Sequence, residues 1–421
     1  MKELLIKHLK NLYRVELLFL SLYVCGIFTQ GISSLKYIGL YGAIILFLML
    51  LYLDKVNIFN SYQLGWKKYR LLIMSFSILL VTIFISVLFT YGDISEMIRS
   101  YRVEFLNITI FSFIVFGMLH QKKLFLYFFF MIVLSLVSNV LYYGWNYLQI
   151  NPSLNFSMRL DRSFSFLFDF SFPFAVITLF IVKNKIVKTS LLIILFIGLF
   201  ELILTGARGG WISTLFSLFL IVSILYWRYT EYRKKIIGSI LVFLIFVSGL
   251  FYYAYEHSSL VKNRIDVGLY TSGRDVIIKE RLPIFLEHGN FFIGIGGPGN
   301  NAFEKLLNDQ KAPIRCGKQL ENTYLYCGDE PFFLQTFYRE GIVGLIVCLW
   351  ILILMIRLSW RNIKYTDKYT VEFYFSVALF SSFFSYYFIR GLVELRNFTM
   401  LFVFVVLLVT LTTYIESKMK K

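Results

Sequence analysis

The sequence predicts an all-α polytopic membrane protein with about twelve transmembrane helices and one large outer loop between the ninth and tenth spans. Three observations predict this class and its orientation. Of the 421 residues, 58% are hydrophobic and 19% aromatic, which is more apolar than a soluble protein of this length. Runs of about twenty apolar residues, enough to cross a hydrocarbon core, recur along the whole chain. The third observation is the placement of the basic residues.

Apolar runs bounded by polar or basic stretches predict the spans in order from the N-terminus. They cover residues 16–33, 37–53, 71–91, 103–119, 124–147, 164–182, 189–206, 211–227, 236–255, 332–356, 372–389 and 393–415. Because this number is even, both termini are expected on the same side of the membrane. No small-residue cleavage site follows the basic start of the chain, so the first span is expected to be a signal anchor.

Basic residues are concentrated on the side that carries both termini, which identifies that side as the cytoplasm. Of the 42 lysines and arginines, 24 lie in the predicted inner segments and 8 in the short outer ones. The net charge of +17 therefore reflects membrane topology, and a nucleic-acid partner is not expected.

One connection is far longer than the others and lies on the outer side. The predicted organisation is spans one to nine in residues 1–255, the loop in 256–331, and the last three spans with a cytoplasmic tail in 332–421. Within the loop, "VIIKERLPIFLEH" has apolar residues at helical spacing and predicts an amphipathic helix at the membrane surface. "GIGGPG" matches a dinucleotide-binding pattern but lacks the surrounding βαβ unit, so we interpret it as a turn.

Two of the four cysteines lie in this loop. Cys316 and Cys327 are eleven positions apart, and a disulfide between them is plausible in an oxidising compartment; two unrelated thiols are the alternative. Cys25 and Cys348 lie inside predicted spans, where cysteine is an ordinary buried apolar residue.

The stretch "LTGARGGWIS" places Arg208 among glycines at the tip of a predicted membrane hairpin. An interfacial anchor reaching the headgroups is one explanation. The glycines favour another, because they allow close helix approach and leave backbone N–H groups accessible to an anion. A guanidinium presents a planar fork of donors that matches phosphate oxygens. We therefore interpret Arg208 as half of a site for a phosphorylated lipid headgroup.

Arg274 is the candidate for the second half of that site. It follows a glycine just ahead of the predicted surface helix, and Arg281 lies two turns later on the same face. The alternative is that both are solvated loop charges.

These segments, in this order around one large outer loop, resemble the bacterial O-antigen ligase and polymerase superfamily. The resemblance covers roughly residues 155–400, through "RLDRSFSFLFDFSFPFA", "LTGARGGWIS", "SGRDVIIKERLPIFLEHGNFFIGIGGPG" and "FFLQTFYREGIVGLI". Members act at the periplasmic face of the bacterial inner membrane on sugars carried by undecaprenyl diphosphate. The resemblance implies that Arg208 and Arg274 contact the lipid diphosphate. Arg281, on the same helix face as Arg274, is a further candidate for this site. Arg159, in the first of these segments, and Arg315, in the large loop, are further candidates for substrate contacts.

The resemblance also defines the expected partners: an undecaprenyl-diphosphate-linked oligosaccharide, membrane lipid and, as a further candidate, a chain-length regulator. No cofactor is expected. No metal is expected either, since the four histidines are isolated in the sequence.

One departure from the family pattern concerns the catalytic base. Ligases of this superfamily carry a His-Asn pair shortly before a Gly-x-x-Gly, and here that motif is Gly341 to Gly344, preceded by "CGDEPFF". A carboxylate can accept the proton of an attacking hydroxyl, so Glu330 is the first candidate base and Asp329 the second. Glu321 is a rival, and a solvated loop end is the alternative for both carboxylates.

The missing histidine favours a polymerase, which would transfer a growing glycan from undecaprenyl diphosphate to a lipid-linked repeat unit. A ligase that delivers glycan to the lipid A core is the alternative within the superfamily. A flippase for lipid-linked oligosaccharides is the alternative from another class, although no internal repeat of the transporter type is evident.

Overall fold

The computed structural model describes residues 8–32, 34–89, 93–153, 155–266, 274–296, 305–306, 309, 331–394 and 398–419. Within these ranges every regular element is a helix. In chain order they are α1 (Leu9–Phe28), α2 (Ser34–Leu53), α3 (Lys55–Leu88), α4 (Ile94–Tyr101), α5 (Asn107–Gly117), α6 (Leu124–Ile150), α7 (Ser163–Ile181), α8 (Lys185–Leu204), α9 (Arg208–Arg228), α10 (Arg233–His257), α11 (Ser259–Asp266), α12 (Arg274–His288), α13 (Phe332–Tyr365), α14 (Val371–Phe384) and α15 (Phe398–Met419).

Ten helices of the described chain are long and apolar enough to cross a membrane. They correspond to ten of the twelve predicted spans, so the all-helical membrane class is confirmed, whereas the number twelve is not. The two remaining spans, predicted at 103–119 and 372–389, are interrupted by π-helical turns at Arg102–Leu106 and Ser385–Arg390. Each turn changes the backbone hydrogen-bond register, so neither region contains a single long α-helix.

Two long helices, each extending beyond its predicted span, contain a local break in the backbone. In α3 the break is at Tyr69, with φ −119° and ψ 22°. In α13 it is at Gly341, with φ 66° and ψ −171°, a conformation that glycine adopts readily. The sequence pattern predicted only the apolar portion of each helix.

The last helix, α15, forms the centre of the bundle. In its most apolar 18-residue stretch, 89% of the residues are buried, whereas only 6% are buried in the corresponding stretch of the span that contains α10. Aromatic rings surround it: the Phe404 ring centroid lies 4.6 Å from that of Phe170 and 5.4 Å from that of Phe383. A helix that is apolar on all sides is expected in the interior, where other helices enclose it.

The bundle has two ends with different chemistry. At the terminal end, where α1 begins and α15 finishes, basic side chains form ion pairs such as Arg361 with Glu416 at 3.0 Å and Lys368 with Glu231 at 2.8 Å. At the other, the loop end, connecting segments bond to one another. Leu160 N, for example, donates to Leu204 O at 3.2 Å.

Candidate functional site

The hairpin between α8 and α9 reverses the chain at the loop end. Gly206 has φ 63°, in the region where side chains are strained. The Thr205 hydroxyl donates to Leu202 O at 2.7 Å and accepts from Ala207 N at 3.2 Å, which holds the turn. Helix α9 then begins at Arg208, which is half-buried.

The two glycines after Arg208 allow α9 to approach its neighbours closely. A Cβ placed on Gly209 would lie 2.8 Å from Glu394 Oε1, and one on Gly210 would lie 3.2 Å from Ser165 Cβ. The close approach expected from these glycines is therefore present, and it brings an acidic side chain to the start of α9.

Four arginines surround this hairpin, and we call them the arginine group: Arg159, Arg162, Arg208 and Arg264. Arg159 Nε donates to Thr205 O at 2.9 Å. The Cγ of Arg264 lies 3.8 Å from the position that a Cβ on Gly206 would occupy.

The members of the arginine group repel one another electrostatically. Desolvation lowers the pKa of the Arg264 guanidinium from its usual value, and the charges of Arg208 and Arg162 lower it further. Desolvation also lowers the pKa of Arg159, with contributions from Arg162 and Arg264. Such crowding of like charges is relieved by an anion, and guanidinium donors suit a phosphate or diphosphate.

A buried ion network lies beneath the arginine group and was missed by sequence reasoning. Arg390, fully buried, contacts Glu394 Oε2 at 2.8 Å and Asp169 Oδ2 at 3.5 Å. It also donates to Ser165 O and Ser165 Oγ, both at 2.5 Å. Glu394 Oε1 accepts from Arg162 at 2.9 Å, so the network connects to the arginine group. The available signal was Asp169, a carboxylate in the middle of an apolar span.

A large cavity of about 1040 Å³ opens at the loop end beside this network. Glu104 and Arg339 lie in its wall and form an ion pair at 3.3 Å. Phe166 also lines it, and the Arg390 guanidinium carbon lies 4.1 Å from the centroid of the Phe166 ring. The sequence offered no direct signal for this cavity, because its walls come from segments far apart in the chain.

Residues 291–295, near the middle of the large loop, dock into the break of α13. Ile342 N donates to Phe291 O at 2.9 Å, and Ile295 N donates to Tyr338 O at 3.0 Å. Gly294 and Gly341 allow this approach, since a Cβ on either would lie 2.2 Å from a backbone oxygen of the other segment. Gly294, the first residue of "GIGGPG", and Gly341, the first glycine of the Gly-x-x-Gly motif, therefore lie in segments that meet in space.

Helix α12, which the sequence predicted at the membrane surface, packs on the first turns of α13. Phe285, Ile295, Leu306 and Tyr338 form a separate buried cluster there. Arg281 is 1% exposed, so the interpretation of this residue as a solvated loop charge is wrong. Arg274 is the first residue of α12, and its side chain lies outside the described part. A shared site for Arg274 and Arg208 stays a prediction.

Several predicted residues fall outside the described ranges: Arg315, Cys316, Glu321, Cys327, Asp329 and Glu330. The predicted disulfide and the predicted bases therefore stay predictions. Among the described side chains no group of three or more His, Cys, Asp or Glu could hold a metal ion.

Comparison with known proteins identifies part of the chain. A family model described as O-antigen ligase matches residues 193–328, which contain Arg208, Arg264, Arg274 and Arg281. No curated protein matches the sequence. The matched region begins within α8 and extends through the hairpin into the large loop. Residues 193–328 are therefore similar to the O-antigen ligase family, within a chain whose described part has ten helices long and apolar enough to cross a membrane.

Proposed function

We propose that this protein is a surface-polysaccharide polymerase, which transfers a growing glycan from undecaprenyl diphosphate to the hydroxyl of a lipid-linked repeat unit. The observation that carries the proposal is the arginine group at the start of α9. Four guanidinium groups share one loop-end surface, and two of them, Arg208 and Arg264, lie in the region that matches the family model.

The arginine group suits the leaving group of this reaction. The acceptor oxygen bonds to the anomeric carbon, and the bond from that carbon to the diphosphate oxygen breaks. The electron pair stays on the diphosphate, whose negative charge increases in the transition state. Preorganised guanidinium groups stabilise such developing charge more than they stabilise the ground state. Arg208 would contribute the bidentate contact, with Arg274 and Arg281 as partners from the loop.

The proton of the acceptor hydroxyl must also leave. Glu330 at the start of α13 is the proposed base, with Asp329 second and Glu321 third. A diphosphate oxygen could accept the proton instead, because diphosphate is a good leaving group. The reaction then needs orientation of the two substrates more than it needs a side-chain base.

The arrangement of charge and space supports a transferase over a flippase. Transporters of lipid-linked sugars are expected to bind their cargo near the bilayer midplane, between repeated halves. Here the large polar cavity and the arginine group are both at the loop end of the described bundle. The ligase alternative rests on the description of the matching family and on the same diphosphate chemistry.

The two ends of the bundle also support a proposed location and orientation in the cell. The protein would lie in the inner membrane with the loop end facing the periplasm and both termini in the cytoplasm. The ion-paired basic terminal end supports this orientation through the positive-inside rule. A chain-length regulator is a proposed partner.

The test is lipopolysaccharide profiling of a strain that lacks the gene, complemented with the wild-type gene. Lipopolysaccharide capped with a single repeat unit is the expected result. Unmodified core with accumulated lipid-linked polymer would instead identify a ligase. Loss of the lipid-linked intermediate from the outer leaflet would identify a flippase.

A further inference from the structure

The cavity at the loop end has the chemistry of a carbohydrate site. Its lining includes the amides of Gln30 and Asn107, the charged Glu96 and Arg99, and the phenol rings of Tyr37 and Tyr142. Sugars are bound by polar groups that pair with their hydroxyls and by flat rings that cover their apolar faces. The volume of about 1040 Å³ lies at the upper end of the range for ligand pockets, as an oligosaccharide requires.

Among the residues that the structure describes, none that lines this cavity lies within 193–328, the part that matches the family model. The arginine group, in contrast, includes two residues of the matched region. In the proposed function, part of the diphosphate site thus lies in the matched region. The cavity is built by helices outside it, where a feature particular to this protein is expected.

The cavity and the arginine group share a wall. Phe166 lines the cavity, and its ring centroid lies 4.1 Å from the guanidinium carbon of Arg390. Arg390 pairs with Glu394 at 2.8 Å, and Glu394 pairs with Arg162 at 2.9 Å. Three direct contacts therefore connect the cavity wall to the proposed diphosphate site. Two substrates bound on the two sides of this wall would be neighbours.

We propose that this cavity binds the sugar portion of the incoming repeat unit, the acceptor, and that Arg99 and Asn107 help to select it. The inference rests on the proposed function, since it names the second substrate site of that reaction. Arg99 is exposed on α4 and Asn107 is half-buried at the start of α5, on either side of the π-helical turn. The ion pair of Glu104 with Arg339 holds that turn against α13.

The test measures binding to purified full-length protein by calorimetry with two probes. One is the lipid-free oligosaccharide that mild acid releases from the lipid-linked intermediates of the native host, and the other is inorganic pyrophosphate. We expect Arg99→Ala and Asn107→Ala each to weaken oligosaccharide binding about tenfold, the loss typical of one strong hydrogen bond. Pyrophosphate binding should be unchanged in both. Arg208→Ala should show the opposite pattern.

Matched controls lie on the same helical run. Arg102 and Thr109 are near neighbours of the two test residues but do not line the cavity. Arg102→Ala and Thr109→Ala should bind both probes like the wild type. Wild-type protein that does not bind the oligosaccharide would overturn the inference, as would unchanged binding in both test variants. Failure of the proposed function is seen separately, in the lipopolysaccharide profile of the deletion strain.

Discussion

Arg208 combines three features that an anion site needs. It lies at the first position of a long helix, where backbone N–H groups and the helix dipole favour negative charge. Three other arginines surround it, and glycines follow it in the chain. Arg208→Ala should therefore abolish polymer in complemented cells while the protein remains in the membrane. Arg208→Lys should restore only part of the polymer, because lysine lacks the bidentate fork.

The matched control for this prediction is Arg70→Ala, since Arg70 is an exposed arginine near the terminal end. It should give normal polymer. Normal polymer in Arg208→Ala as well would reject the diphosphate site.

Arg390 has a different role, because it is enclosed by protein. Its guanidinium neutralises Asp169 and Glu394, two carboxylates that are 0% and 5% exposed. Removing one partner of a buried ion pair leaves an uncompensated charge and costs about 3–5 kcal/mol. Arg390→Ala should therefore lower the thermal unfolding temperature in detergent markedly, more than Arg208→Ala. Equal melting of Arg390→Ala and wild type would show that the network does not stabilise the fold.

The proposed base is tested at the residue level by isosteric amides. Glu330→Gln should keep pyrophosphate binding and lose most turnover, because the amide cannot accept the acceptor proton. Asp329→Asn should have the milder effect. Near-normal polymerisation by both variants would move the base to Glu321 or to the diphosphate itself.

At the scale of elements, the break in α13 depends on one glycine. Gly341 has φ 66°, and its position lets the chain near Phe292 form hydrogen bonds to the broken helix. A Cβ there would lie 2.2 Å from Phe292 O. Gly341→Ala should lower the free energy of unfolding by about 1–3 kcal/mol or more, because a strained backbone conformation typically costs that much. We expect faster proteolysis of the large loop together with a lower melting temperature.

Gly249 provides the control for that prediction. It lies inside α10, and a Cβ added there meets no atom within 4 Å. Gly249→Ala should be neutral or slightly stabilising, because alanine is the better helix former. If the two alanine variants behave alike, the docking of the loop on α13 does not contribute to stability.

The π-helical turns show where element-scale prediction failed. Apolar periodicity identified both regions as spans, since hydrophobicity does not depend on the hydrogen-bond register. The register shift at Ser385–Arg390 is associated with the buried contacts of Arg390 and with Gly391 N, which donates to Tyr386 O at 3.2 Å. The contacts with Ser165 and Asp169 come from α7, far away in the chain, so no local pattern contains them. The interruption of this predicted helix lies at the loop end of the bundle.

At the scale of the molecule, the two ends should lie on opposite sides of the membrane. Lys262 is exposed at the loop end, and Lys122 is exposed at the terminal end. In a background with Cys316→Ser and Cys327→Ser, a membrane-impermeant maleimide should label Lys262→Cys in cells with a permeable outer membrane. Lys122→Cys should react only after the inner membrane is opened. The reverse pattern would invert the proposed topology.

The sequence by itself determined the properties that depend on composition and spacing. The lengths of the apolar runs determine the all-helical membrane class, and the distribution of basic residues predicts the orientation. The motif around Arg208 and the segments of the large loop indicated the superfamily, which the family match at residues 193–328 confirmed. These properties could be predicted because each depends on residues close together in the chain.

Only the tertiary structure decided which distant residues meet. Arg390 reaches Ser165, 225 positions away, and Arg162 reaches Glu394, 232 positions away. The cavity likewise takes its walls from α1, α4 and α13, and Arg281 proved to be buried. Helix packing, and not local propensity, selects such contacts, because burying a charge is tolerated only where the complete set of partners converges.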